Sequence, residues 1–170
     1  TPFVARNKDK AAQKLDESTH RAYRRAVGRL MWTLPARPDL SYVVKELARA
    51  CASPTEADLH GLKRVLEYVK GTQHQVLSLE IDMEASEEEL KVSSDSNWAS
   101  PKSTTGFTIR WCGLLLETVA KTQSVPALST MESEVVAMNE AAKEAKYVQS
   151  VLAELQQKAV AVTLHCDASS

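Results

Sequence analysis

The run Ser129-Thr130-Met131-Glu132-Ser133-Glu134 opens a stretch that continues to Leu155 without a glycine or proline. Apolar residues recur at Met138, Ala141, Ala142, Ala145, Val148, Val151, Leu152 and Leu155, the spacing of a helix with one buried face. At the usual helical rise the stretch is about 40 Å long, enough to cross a whole sheet. Two carboxylates stand two residues apart just inside its start. Ser129-x-x-Glu132 fits a capping box, in which the serine takes the amide of the third residue and the glutamate reaches back. Glu134 falls on the face of Met138, Ala141, Ala145, Val148 and Leu152, whereas Glu132 shares its face with Val136, Asn139 and Lys143. The spacing therefore points Glu134 toward a sheet and Glu132 toward the cap or solvent.

Strand patterns lie on both sides of this helix. Leu90 to Ser94 reads as a short strand, and Phe107 to Trp111 and Leu114 to Ala120 flank Cys112-Gly113, a plausible hairpin turn. Ala159 to Cys166 alternates as a last strand. Three strands, a long helix and a strand predict an α/β domain with a mixed sheet over residues 90–170. Asp95 ends the first strand and Asp167 the last. If those strands are parallel neighbours joined by a crossover containing the helix, both aspartates lie at one sheet edge, where α/β sheets place ligands. Glu134 would join them there. Three converging carboxylates repel one another unless a divalent ion pairs them, and oxygen-only ligands favour Mg2+ or Mn2+. Two such ions about 3.5–4 Å apart activate water and stabilise the leaving oxygen of a phosphodiester. Spacing alone leaves the alternative open: a turn residue, a helix-dipole carboxylate and a loop residue.

Upstream, residues 1–17 lack periodicity and read as a tail or linker. Residues 18–74 read as a three-helix unit. Ser18 to Leu34 carries the stripe Tyr23, Val27, Leu30, Met31 and Leu34, with Arg21, Arg25 and Arg29 on another face and Arg24 beside them. A second helix from Leu40 aligns Val43, Val44, Leu47 and Cys51. A third, capped by Thr55, carries Leu59, Leu62, Val65, Leu66 and Val69 and stops at Gly71. Residues 75–89 join the halves as a strand, Val76 to Ile81, and an acidic loop.

The chain of 170 residues is 44% hydrophobic and 25% charged, the balance of a globular protein. No run of 18 apolar residues and no signal-peptide core is present, so secretion and membrane insertion are not expected. Cys51, Cys112 and Cys166 are too few and too scattered for a disulfide framework or zinc site. His20, His60, His74 and His165 show no ligand spacing. There is no Gly-rich phosphate loop, Ser/His/Asp arrangement or Tyr-x-Asp-Asp signature. The net charge of -1 hides an asymmetry: residues 1–75 carry 14 Lys/Arg against 8 Asp/Glu, residues 76–170 carry 7 against 14. A basic half beside an acidic half suits a nucleic-acid track next to a metal site; it equally suits two ordinary domains with different surface bias. The first residue is not Met, and the chain reads as a fragment of something longer.

Several segments resemble one family. Ser94-Asp95-Ser96-Asn97-Trp98-Ala99, Lys102-Ser103-Thr104-Thr105-Gly106-Phe107, Ala127 to Glu134, Glu140 to Ala145 and Leu164-His165-Cys166-Asp167 are similar to the RNase H region of copia-type retrotransposon polyproteins. Tyr23 to Leu30, Arg37-Pro38-Asp39-Leu40 and Leu62 to Thr72 resemble the segment joining polymerase to RNase H. The resemblance implies an RNase H-like domain, incomplete at its C-terminus, that cleaves the RNA strand of RNA–DNA hybrids with two Mg2+ ions, Mn2+ substituting. It matches Asp95, Glu134 and Asp167 to three of four acidic positions as catalytic metal ligands, the fourth being expected beyond Ser170. It makes Arg24, Arg25, Lys63 and Arg64 candidate phosphate contacts. Lys102, Ser103 and Thr104 form a polar turn that could contact phosphates or simply be solvated. The implied partners are the hybrid and an upstream polymerase portion; the implied location is intracellular, in cytoplasmic retroelement particles or the nucleus. Two departures stand out. Asn97 replaces the second acid of Asp-Ala-Asp-Trp-Ala, and Val135 replaces the tyrosine of Thr-Glu-Ala-Glu-Tyr. A degenerate hybrid-binding or structural remnant is the alternative.

Overall fold

The computed structural model describes residues 13–80, 89–99 and 101–166. The chain divides into two compact units, Thr1–Leu77 and Ser78–Ser170.

In the first unit, helix α1 spans Glu17–Thr33, α2 Ser41–Arg49 and α3 Glu56–Gly71, with a 3-10 turn at Pro38–Leu40 before α2. Asp16 caps α1 by accepting the Ser18 and Thr19 amides at 2.9 and 3.1 Å. Residues 13–16 are docked rather than a loose tail: Lys14 bridges Thr55, the Leu15 amide donates to the Pro54 carbonyl at 3.2 Å, and Leu15 packs on the core. Tyr23, Val27, Leu30, Leu40, Val43, Val44, Leu47, Leu62 and Val65 are buried together, each contributing about 1.5–3 kcal/mol if fully withdrawn from water. Two expected core residues are not in it. Met31 is 53% and Leu66 43% exposed, because each sits at the rim of a stripe whose centre already fills the space. Thr55 and Asp58 form a reciprocal capping box on α3.

The Arg37-Pro38-Asp39 run has a structural role. Arg37 grips Asp39 through Nε and Nη2, both at 2.9 Å, and donates to the Thr72 carbonyl and hydroxyl beyond the end of α3. Tyr68 donates to Asp39 Oδ2 at 3.0 Å. The cation lies where the helix dipole is negative, and the turn before α2 is thereby tied to the C-terminus of α3.

The second unit has strands β1 (Glu89–Asn97), β2 (Thr104–Trp111) and β3 (Leu114–Thr122), then α4 (Thr130–Gln156) and β4 (Ala161–Cys166). The sheet order is β3-β2-β1-β4; β1 is antiparallel to β2 and parallel to β4. Cys112 and Gly113 take φ of 47° and 79°, the two positive values a tight hairpin turn needs. Leu90, Val92, Phe107 and Ile109 bury one sheet face against Ala141 and Ala145 of α4. The opposite side of β1, with Lys91, Ser93 and Asp95, is exposed.

Three expectations change here. β1 continues past Ser94 to Asn97, because Ser94, Asp95, Ser96 and Asn97 find partners in Phe107, Gly106, Thr105 and Thr104. Residues 76–80 form no strand: Val76 and Leu79 are exposed and no strand of the sheet pairs with them; Ile81 and the acidic residues 82–88 lie outside the described residues. The buried line of α4 is Ser133, Ala137, Ala141 and Ala145, while Ala142, Val151 and Leu155 are exposed. The small residues at every fourth position are the ones buried against the sheet, and the larger Val148 and Leu152 pack on the same core partly buried.

Candidate active site

Ser129 caps α4, accepting the Glu132 amide at 3.1 Å. The Glu132 carboxylate turns back, as the spacing predicts, to the Leu128 amide at 2.6 Å. It reaches one residue beyond the cap. Glu134, half-buried on the sheet side, does something different. Its Oε1 accepts the Ser96 hydroxyl at 2.8 Å and the Ser96 amide at 3.3 Å, and its Oε2 lies 3.8 Å from Cys166 Sγ. One carboxylate therefore spans from β1 to β4.

The parallel ladder pairs Ser94 with Cys166, the residues immediately before Asp95 and Asp167. Glu134 thus touches the residue after Asp95 and the residue before Asp167. Asp95 itself sits within β1 rather than at its end. Its side chain is exposed, and it has no hydrogen-bond or ion-pair partner among the described residues. By strand alternation it belongs to the face α4 leaves open. A groove of about 590 Å³ on that face is lined by Ser93, Asp95, Gly106, Thr108, Thr118 and His165, among others. Among the described residues no group of three or more His, Cys, Asp or Glu side chains is gathered to hold a metal ion. Asp167 lies outside the described residues. In donor chemistry Glu134 and Asp95 each suit a hard cation, since both offer carboxylate oxygens and neither is neutralised by an ion pair among the described residues; by strand alternation they approach β1 from opposite sides.

A polar layer that spacing does not reveal supports Glu134. Ser133, fully buried, lies 2.7 Å from the Ser96 hydroxyl. Gln123, also buried, donates to the Ser133 carbonyl at 2.8 Å and to Thr105 at 3.2 Å. The Ser94 hydroxyl and Gln123 Oε1 are buried without a partner. The only signal in the sequence is a serine at the head of an every-fourth small-residue line. Trp98 fastens the approach to α4 by donating to the Ala127 carbonyl at 3.1 Å.

The polar turn is only partly at the surface. Lys102 is half-exposed, but Ser103 and Thr104 are buried. Ser103 Oγ accepts the Ala99 amide at 3.3 Å, so the serine builds the turn and its side chain does not face solvent.

In the first unit Arg24, Arg25, Lys63 and Arg64 are exposed, and none has a carboxylate partner among the described residues. Two residues that sequence patterning does not single out share the α1 face of Arg24 and Arg25. Trp32 is 88% exposed, four residues after Gly28. A Cβ added to Gly28 would meet nothing within 4 Å, so internal packing does not require the glycine, although a mid-helix glycine costs about 1 kcal/mol relative to alanine. Arg24, Gly28 and Trp32 are successive positions on one line of the helix.

The chain is 34% identical over 131 residues to secreted RxLR effector protein 161 of Plasmopara viticola, a match covering 74% of this chain and 90% of that protein. It is 32% identical over 146 residues to the retrovirus-related Pol polyprotein from transposon RE1 of Arabidopsis thaliana, covering 84% of the chain. It is 30% identical over 153 residues to the corresponding polyprotein from transposon TNT 1-94 of Nicotiana tabacum, covering 87%. The chain belongs to one family with the Plasmopara protein and is related to retrotransposon Pol polyproteins. It spans 10% and 11% of the length of the two Pol polyproteins. No family model matches this Pol-related chain, and no solved structure does. Among the described residues no helix is long and apolar enough to cross a membrane.

Proposed function

We propose that the chain is a Pol segment whose Ser78–Ser170 unit is an RNase H-like nuclease acting on the RNA strand of RNA–DNA hybrids. Its other unit, on this reading, binds the hybrid backbone. The observation that carries the proposal is the span of Glu134 between Ser96 and Cys166. It brings a helix carboxylate to two adjacent parallel strands, against Ser96 and Cys166, which in sequence follow Asp95 and precede Asp167. Relation to Pol polyproteins supports the choice of substrate and of an upstream polymerase portion as partner. Asp95, Glu134 and Asp167 would hold two Mg2+ ions, with Mn2+ substituting. Bound there, the ions supply an activated water and neutralise the leaving oxygen. The protein's own part is to fix the Glu134 oxygens through Ser96 and to keep the layer beneath them dry and polar.

Arg24, Arg25, Lys63, Arg64 and Lys102 contact phosphates in this scheme, and they steer the hybrid without reading its sequence. Exposed Trp32 and Gly28 extend the α1 line of Arg24: the glycine admits a backbone close to the helix, and the indole gives it an apolar rest. A hybrid labelled in its RNA strand tests the proposal. Cleavage with Mg2+ that stops with EDTA and is lost in Asp95→Asn supports it. Binding without cleavage would identify a binding remnant instead.

A further inference from the structure

Three short contacts join Ser96, Ser133 and their neighbours, and only two hydroxyl protons are present to fill them. Ser96 Oγ is 2.7 Å from Ser133 Oγ and 2.8 Å from Glu134 Oε1. Ser133 Oγ is 2.6 Å from the Thr130 carbonyl. Each serine hydroxyl donates one proton and accepts through its lone pairs. If Ser96 donates to Glu134, Ser133 fills the middle contact by donating to Ser96, and Thr130 goes without. If Ser133 donates to Thr130, Ser96 fills the middle contact by donating to Ser133, and Glu134 Oε1 keeps only the Ser96 amide. The remaining arrangement sets two oxygen lone pairs against each other at 2.7 Å and is disfavoured. Ser133 is fully buried, so water does not relieve a stranded hydroxyl there.

We infer that Ser96 and Ser133 form a two-position hydroxyl switch that positions Glu134. With no cation present, the proton chain runs from Ser133 through Ser96 to Glu134 Oε1 and holds the carboxylate in place. When a hard divalent cation takes Oε1, the chain reverses from Ser96 through Ser133 to the Thr130 carbonyl. Both hydroxyl protons stay bonded in either state. The switch rests on the nuclease proposal, because Glu134 is a cation ligand only there. Neither serine is a ligand or a catalytic residue; both act through Glu134.

The test is Mn2+ binding to the full chain, read without activity from the paramagnetic resonance signal of free Mn2+. Alanine at 133 continues the line of Ala137, Ala141 and Ala145, so Ser133→Ala preserves the packing. It also leaves Glu134 as the only protein acceptor of the Ser96 proton among the described residues. Half-saturation should rise roughly three- to tenfold in Ser133→Ala, and adding Ser96→Ala should bring it back to within about twofold of Ser96→Ala alone. A merely structural role would make the two effects add. An unchanged Ser133→Ala, or a double variant weaker than either single, overturns the switch while loss of Mn2+ in Glu134→Gln leaves the metal site standing. Unchanged binding in Glu134→Gln overturns the switch and the metal site together.

Discussion

Glu134 Oε1 accepts two hydrogen bonds from one residue, Ser96: the hydroxyl at 2.8 Å and the amide at 3.3 Å. This pairing ties the first turns of α4 to β1 one position past Asp95. A glutamate loses rotamer freedom worth up to about 2 kcal/mol when it is fixed; two donors from a strand set in a four-stranded sheet offset that cost and define where the carboxylate stands.

Neutralising either carboxylate without changing its size should uncouple cleavage from folding. Glu134→Gln and Asp95→Asn are expected to lose about a hundredfold or more in hybrid cleavage, the scale on which single electrostatic contacts to developing charge act. The Asp95 side chain is exposed and has no partner among the described residues, so thermal unfolding of Asp95→Asn should match the parent. A large drop in its Tm would assign Asp95 a structural role.

On the proposed reading, charged and apolar contacts to the hybrid should separate by salt. Replacing Arg24 and Arg25, or Lys63 and Arg64, with alanine should weaken hybrid binding. It should also flatten the dependence of log affinity on log salt by about 0.9 for each phosphate no longer neutralised. Trp32→Ala should weaken binding and leave that slope unchanged, because no charge is removed. Fluorescence anisotropy across a salt series measures both; equal slopes in all variants would remove these residues from the interface.

Acid should weaken the first unit through Asp39. Hydrogen bonding from Arg37, and then from Tyr68, holds the Asp39 carboxyl below its ordinary 3.8 despite partial burial. A carboxylate with a depressed folded pKa contributes stability above its unfolded value and loses it as pH falls through the folded one. Asp39→Asn should therefore cost about 1–2 kcal/mol at pH 7 and progressively less below pH 3.8. Urea unfolding at pH 7 and pH 2 checks the convergence; a constant difference would contradict it.

Glu117 carries the opposite sign. Burial, and then Glu144, pushes its carboxyl above the ordinary 4.5, so the fold favours the protonated form. That contribution is complete below 4.5 and is lost as pH rises through the folded value. Glu117→Gln should match the parent at about pH 4 and be more stable at about pH 7. A variant that is less stable at neutral pH would show that the ionised side chain is better paired than its surroundings indicate.

What the sequence made readable was local chemistry. Ser129 as a cap, Thr55 as a cap, Cys112-Gly113 as a turn and the sheet-facing side of Glu134 all follow from a few neighbouring residues. What it hid was set by partners distant in the chain. The polar run Ser94 to Asn97 becomes strand because β2 lies alongside it. Val76 and Leu79 alternate like a strand but have no sheet partner. Val151 and Leu155 look like core on helical spacing, yet the sheet takes the small line Ser133, Ala137, Ala141 and Ala145 instead. Glu134 was legible as a side chain facing the sheet; that Ser96 and Ser133 would hold it was not. The metal site expected at this unit's edge came from spacing and resemblance; among the described residues no three such ligands are gathered, and Asp167 lies outside them.

The most direct test is cleavage of an RNA–DNA hybrid, labelled in the RNA strand, by the full chain and by Glu134→Gln. RNA products are expected with Mg2+ for the parent chain, none with EDTA, and loss of cleavage in Glu134→Gln with hybrid binding retained. Cleavage by Glu134→Gln at the parental rate, or cleavage that persists in EDTA, would contradict the nuclease proposal.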